Sequence, residues 1–184
     1  MSHSITVSGE RATANASAAD QQPRVVVVCG LPGVGKTTVA ERAAELLDAA
    51  LLRTDVVRTD LFPEPEYTDA ELRAVYDELF ERAAAVVRDG RSVVLDGTFQ
   101  HREYRERVGR TADDLGVAAT LVKVECEAGV VRERIRQRAD DASDADFEIH
   151  QQYRESFDAI EREHAVVDNS AGLDATREQV DALF

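Results

Sequence analysis

Lysine is almost absent: of 22 basic residues only Lys36 and Lys123 are lysines, and the rest are arginines. Set against 36 acidic residues they leave a formal charge of −14. That charge repels a nucleic-acid backbone over most of the surface and disfavours duplex binding, leaving only a local basic patch open. Cysteine is as scarce. Cys29 and Cys126 lie in apolar, strand-like runs with no partner at metal-ligand spacing, which reads as two small buried hydrophobes in a reducing compartment. No run approaches the roughly 18 apolar residues that span a bilayer. Residues 1–22 are rich in Ser, Ala, Thr and Gln, carry Glu10 and Asp20, and lack the apolar core of a secretory leader. A disordered N-terminal tail and a soluble, cytoplasmic protein with no membrane partner are therefore expected. An Asn-Lys-x-Asp guanine motif is missing too, which speaks against a GTPase. The acidic, lysine-poor balance resembles that of proteins from salt-accumulating extreme halophiles, where salt screens the repulsion between carboxylates. A generically acidic protein from a GC-rich genome is the alternative.

What is present reads as one α/β domain over residues 23–184. Val25 to Cys29 is a continuous β-branched run of the kind that forms a central parallel strand covered on both faces. Further strands are expected at residues 50–53, 92–96, 117–126 and 165–168. Helices are expected from Lys36, over 69–88 with Asp69 as N-cap and Gly90 as stop, over 102–115 closed by Gly116, over 128–138, over 147–162, and over 174–183 with Val180 and Leu183 facing inward. Residues 139–146 are polar and suit a mobile loop. Strands alternating with helices imply a parallel sheet with right-handed crossovers.

The chemistry starts at Gly30-Leu31-Pro32-Gly33-Val34-Gly35-Lys36-Thr37, followed by Thr38. This fits G-x-x-x-x-G-K-[ST], in which glycines let backbone N–H groups converge on phosphate oxygens at a helix start. Lys36 would reach the β and γ phosphates of a bound nucleotide, and Thr37 would ligate Mg²⁺. Asp96 ends an apolar strand, where a carboxylate can stand beside that metal. It is followed by Gly97, so no second carboxylate is offered for polarising water, which favours transfer over hydrolysis. Asp55 and Arg58 stand about one helical turn apart after the second strand. Asp55 can accept a proton from an attacking hydroxyl while Arg58 holds a phosphate or other anion. Arg134 and Arg138 share a helix face that can close over a transferring phosphoryl group, whereas Arg132 and Arg136 read as solvated. Arg102 follows Asp96 closely and is the expected substrate contact, with Arg105 and Arg107 paired to neighbouring glutamates.

In this order, G-L-P-G-V-G-K-T-T, R-T-D-V-V-R, S-V-V-L-D-G-T-F with Arg102, the Arg134–Arg138 pair with D-A-S-D-A, and V-D-N-S resemble the small P-loop kinases often labelled AAA-family ATPases, related to polynucleotide 5′-kinase, zeta toxins and gluconate kinase. The resemblance covers about residues 24–184. It implies a P-loop NTPase fold with a five-stranded parallel sheet of order 2-3-1-4-5, ATP and Mg²⁺ as cofactors, and an arginine-bearing helical lid over about residues 132–150. It also implies Asp55 as base with Arg58 as its substrate-side partner, Thr98 and Arg102 on the acceptor side, and Ser170 near the adenine. The expected reaction is transfer of the γ-phosphoryl group to a hydroxyl of a small-molecule acceptor, by a monomer or homodimer. A nucleoside monophosphate kinase and a non-transferring ATPase or nucleotide-dependent switch are the rivals. A nucleic-acid partner survives only as a 5′-hydroxyl end.

Overall fold

Four consecutive valines and a cysteine cannot alternate between core and solvent, so their strand has to be buried on both faces. In the computed structural model they form the middle of the sheet. The structure describes residues 22–138 and 143–184, without the side chains of residues 138 and 143–146. The tail expected over residues 1–22 thus lies, but for its last residue, outside the described residues, as does part of the expected lid.

Strand β1 (Arg24–Cys29) pairs in parallel with β3 (Val93–Asp96) on one side and β4 (Ala118–Glu125) on the other; β2 (Ala50–Arg53) and β5 (Ala165–Asp168) form the edges. The order β2-β3-β1-β4-β5 is the one the resemblance implied. Val28 stands opposite Asp96, and Asp96 opposite Arg53, so register brings the ends of β1, β3 and β2 to one crevice. Such carboxyl-end crevices are where open α/β sheets bind ligands.

Alternate residues of β1 feed two cores. Val25, Val27 and Cys29 pack with α3 (Asp69–Arg88) and α4 (Arg102–Leu115), while Val26 and Val28 pack with α1 (Lys36–Leu46), α5 (Ala128–Arg138) and α7 (Leu173–Asp181). Each fully buried valine contributes about 1.5–3 kcal/mol relative to exposure. Burial lifts the Cys29 thiol pKa to about 11, which makes it a packing residue rather than a nucleophile. Among the described residues, no helix is long and apolar enough to cross a membrane.

The elements depart from expectation in four places. A short helix, α2 (Thr54–Leu61), follows β2 directly. Helix α3 is capped by Thr68, whose hydroxyl accepts the Glu71 N–H at 3.3 Å, rather than by Asp69. Leu183 lies beyond α7 and is 40 % exposed, while Val180 is fully buried. The helix expected over 147–162 is α6 (Ser143–Ser156). It stops because the next carbonyls are diverted: those of Asp158 and Ala159 accept Nη2 of Arg105 at 2.8 and 3.0 Å, and Asp158 N–H donates to Gln100 O at 3.2 Å.

Candidate active site

The loop between β1 and α1 is shaped from outside as well as by its own glycines. Gly35 has φ +92°, and a Cβ there would lie 2.1 Å from Asn169 Nδ2. Gly30, at φ +147°, would place a Cβ 2.5 Å from the carbonyl oxygen of Val124. Both positions therefore need glycine for close approach and for a conformation other residues avoid. Asn169 Nδ2 donates to Val34 O at 2.8 Å, Asn169 Oδ1 accepts the Thr176 hydroxyl at 2.7 Å, and the residue is 5 % exposed. Nδ1 of His150, on α6 and also buried, lies 2.7 Å from Pro32 O. A carbonyl can only accept, so Nδ1 carries the proton. Two long-range clamps thus hold the loop. Leu31 and Val34 pack into the core on the α1 side, and Thr38 lies half-buried in the first turn.

Helix α1 opens at Gly35 with no side-chain cap and no acidic residue in its first turn. Its first N–H groups are thus left for an anion, the arrangement that binds phosphate. Lys36 Nζ donates to Leu31 O at 2.9 Å, and burial lowers its pKa against the pull of Asp96. The Thr37 hydroxyl donates to Asp96 Oδ2 at 2.8 Å. Burial raises the Asp96 pKa, opposed by the Thr37 hydrogen bond and by Lys36 and Arg53. Among the described residues, no group of three His, Cys, Asp or Glu side chains is placed to hold a metal. The two hard oxygens of Thr37 and Asp96 still fit a magnesium ion that takes its other ligands from phosphate and water.

Next to Asp96, Gly97 does more than leave out a second carboxylate. A Cβ at 97 would meet Thr54 Cγ2 at 2.6 Å, so the position is sterically closed. Phe99, fully buried and at φ +46°, donates its N–H to the Tyr76 hydroxyl at 3.0 Å. Thr98 is half-buried and its carbonyl accepts Gly30 N–H at 3.3 Å, joining the post-β3 loop to the phosphate loop.

The expected acceptor side is rearranged. Asp55 is paired with Arg53, whose Nη2 donates to Asp55 Oδ2 at 2.9 Å and whose Nε lies 3.5 Å from Asp96 Oδ2. Arg58 turns instead to Glu71 at 3.8 Å and lies beneath the Tyr67 ring. Arg102 does not face the crevice free: Glu106 and Glu161 hold its guanidinium at 2.6 and 2.5 Å. Arg105 is no surface partner of a glutamate. It is 3 % exposed and donates to the carbonyls of Phe99, Gln100, Asp158 and Ala159, because the loop after β3 and the segment after α6 bring those oxygens together around it. Arg107 pairs with Asp77 of α3.

On the other flank, Arg134 Nη2 donates to Asn169 O at 2.9 Å and its Nη1 reaches Cys126 Sγ at 3.6 Å, next to Gly35. The side chain of Arg138 lies outside the described residues. Arg132 lies over the Phe147 ring, and Arg136 pairs with Glu133. Ser170 accepts the Glu127 N–H at 2.9 Å and donates to Asp168 at 2.5 Å. With Gly30, Leu31, Val34 and Cys126 it lines a cleft of about 570 Å³ at the ends of β1, β4 and β5. Asn169, His150, Arg53 and Tyr67 were missed as site residues. Asn169 left a signal, as a polar residue directly after an apolar strand, and Arg53 another, as the first residue of R-T-D-V-V-R; His150 and Tyr67 left none.

An AAA domain family matches residues 25–160. The chain belongs to this AAA domain family. Uncharacterized proteins of Mycobacterium tuberculosis and Mycobacterium bovis are 36 % identical to it over 138 residues, 68 % of this chain and 28 % of theirs, so it spans under a third of those relatives. Among solved structures, the APS kinase of M. tuberculosis in complex with AMPPNP and APS aligns at TM-score 0.71 and 18 % identity, over 88 % of this chain and 97 % of that one. A gluconokinase of Sinorhizobium meliloti aligns at 0.64 and 21 %, over 88 % and 93 %. A sugar kinase of Janibacter aligns at 0.63 and 19 %, over 89 % and 92 %. At these identities the likeness is one of fold, and this AAA domain has the P-loop kinase fold.

Proposed function

We propose that this AAA domain is an ATP-dependent phosphotransferase that moves the γ-phosphoryl group to a hydroxyl of a small acceptor. The observation that carries the reading is the closed position after Asp96: a water-polarising carboxylate at 97 would collide with Thr54, while a different carboxylate, Asp55, is held by Arg53 across the crevice. The activities for which these neighbours are named, on gluconate, sugars and APS, agree with a small acceptor.

In this reading the loop N–H groups and Lys36 hold the β and γ phosphates, with Lys36 giving up Leu31 O to do so. Thr37 and Asp96 would hold Mg²⁺, which when bound would offset the charge on the phosphate oxygens. Asp55 takes the acceptor's hydroxyl proton as the acceptor oxygen bonds to the γ phosphorus and the bond to the β–γ bridging oxygen breaks, leaving ADP. Arg134 and Arg138 stabilise the charge in flight, Ser170 lies toward the adenine, and Arg58, Thr98 and Arg102 stand on the acceptor side. For Arg102 this requires release from Glu106 and Glu161. Most of the rate comes from positioning and charge stabilisation.

The test is transfer from γ-labelled ATP in molar KCl to sugars, nucleosides, nucleoside monophosphates and 5′-hydroxyl oligonucleotides, beside Asp55→Asn. A labelled organic product is expected, with the variant slowed on the order of 10²–10⁴-fold. Label in water alone, at equal rates for parent and variant, refutes the proposal.

A further inference from the structure

Arg42 holds both oxygens of Asp181 and one of Glu45, and Arg105 holds four carbonyls. Arg53 is used differently. It ends β2 directly opposite Asp96 in the parallel register, and α2 starts at the next residue. One guanidinium therefore stands between the carboxylate at the end of β3 and the one in the first turn of α2. Its Nη2 donates to Asp55 Oδ2 at 2.9 Å, while its Nε lies 3.5 Å from Asp96 Oδ2 and is buried without a hydrogen-bond partner. That contact compensates charge without a hydrogen bond. A buried donor left unsatisfied is costly and calls for a reason.

The reason lies in the oxygen that Nε faces. Asp96 Oδ2 accepts the Thr37 hydroxyl at 2.8 Å, and these are the two oxygens that fit a magnesium ion. With no cation there, Arg53 offsets the charge of a buried carboxylate: burial raises the Asp96 pKa, and Arg53 is among the groups that oppose the rise. With Mg²⁺ on that oxygen, Arg53 is no longer needed at Asp96 and is repelled as a like charge. Its Nε can leave without breaking a hydrogen bond, and Nη2 keeps its hold on Asp55. That hold is what orients the proposed base. The Asp55 side chain is 67 % exposed, and its Oδ1 accepts only the N–H of the next residue, Val56, at 2.9 Å. Among the described residues, Arg53 is the group from outside α2 that hydrogen-bonds the Asp55 carboxylate.

Resting on the transferase reading, we propose that Arg53 is a positioning residue that couples metal occupancy at Asp96 to the orientation of the base Asp55. In the metal-free protein it is shared between the two carboxylates. With Mg²⁺ held by Thr37 and Asp96 it is committed to Asp55, so the base is set in place when the cation that phosphoryl transfer needs is in place too. Arg53 holds no part of the acceptor. Coupling of this kind is reciprocal, so a change at Asp55 is felt at the metal end as well.

Calorimetry with AMPPNP, in Mg²⁺ and in EDTA, reads the metal end without turnover. Arg53→Met is expected to bind AMPPNP at least about 3-fold more tightly than the parent in Mg²⁺ and no more tightly in EDTA, a gain that misfolding cannot produce. Asp55→Asn leaves Arg53 to Asp96 and should weaken AMPPNP binding in Mg²⁺, by a larger factor in the parent than in the Arg53→Met background. Transfer from γ-labelled ATP, to whichever panel member is labelled, reads the base end. Arg53→Met should slow kcat on the order of 10–100-fold with acceptor KM little changed, Arg53→Lys should recover part of the loss, and Arg53→Met should add nothing to Asp55→Asn. Affinity in Mg²⁺ that is unchanged or lowered in Arg53→Met, equal effects of Asp55→Asn in both backgrounds, or a loss confined to acceptor KM overturns the coupling and leaves the transferase intact. Label in water alone, at equal rates for parent and Asp55→Asn, overturns the transferase reading and the base end of the coupling with it.

Discussion

Replacing Arg105 by methionine tests whether one buried guanidinium joins the post-β3 loop to the segment leading into β5. Its Nη1 donates to Phe99 O at 2.6 Å and Gln100 O at 2.7 Å, its Nη2 to Asp158 O at 2.8 Å and Ala159 O at 3.0 Å, and its plane lies 5.2 Å from the Phe157 ring. Methionine keeps the apolar stem and removes all five interactions. Phe99 is fully buried, so its carbonyl loses its partner at a cost of about 1–3 kcal/mol. The other three oxygens are partly reachable by water and lose less, roughly 0.5–1 kcal/mol each. Against this, the variant escapes the desolvation that lowers the Arg105 pKa. The balance is about 3 kcal/mol, which for a chain of this size lowers the melting midpoint by roughly 6–12 °C. Chemical denaturation followed by circular dichroism in molar KCl measures it, with Arg105→Lys expected to fall between, since one ammonium cannot serve two pairs of carbonyls. A loss below about 1 kcal/mol for Arg105→Met refutes the view that these four bonds are what hold the segment.

The buried carboxyl of Asp96 makes a prediction about pH. Burial raises its pKa, so the folded state holds the proton more tightly than the unfolded one. Stability from this group therefore rises as pH falls from the raised value toward the ordinary ~3.9. Asp96→Asn has no such proton, so nucleotide-free variant should melt above the parent at pH 7, with an advantage that shrinks toward pH 4. Melting curves across that range check it, and an advantage growing toward acid contradicts it. Asn169→Leu removes the bond to Val34 O and leaves Thr176 Oγ1 without its Asn169 partner. It should cost about 1–3 kcal/mol and weaken AMPPNP binding on the order of tenfold, both readable by thermal shift and calorimetry.

Much of the fold was legible because its signals are local. An all-apolar run announces a strand buried on both faces, and the glycine loop needs only its own residues to be recognised. The Arg134 expectation had a local basis too, in helical spacing. Tertiary partners decide the rest, and these come from far along the chain. Asn169 grips a loop 135 residues away, and His150 one 118 away. Arg102 and Arg105 show the limit most clearly, being one turn apart on α4 with the same charge. One is tied up by exposed glutamates and the other is drawn inward by four carbonyls, and the difference arises only when residues 157–161 cross over α4. Asp55 and Arg58 likewise look like a pair by spacing, yet Asp55 accepts from Arg53, two residues before it, and Arg58 goes to Glu71 of α3. In a chain whose cations are nearly all arginine, residue type carries little information about role. What sets Arg53 and Arg58 apart among the described arginines is a buried guanidinium nitrogen that the fold has left without a hydrogen-bond partner.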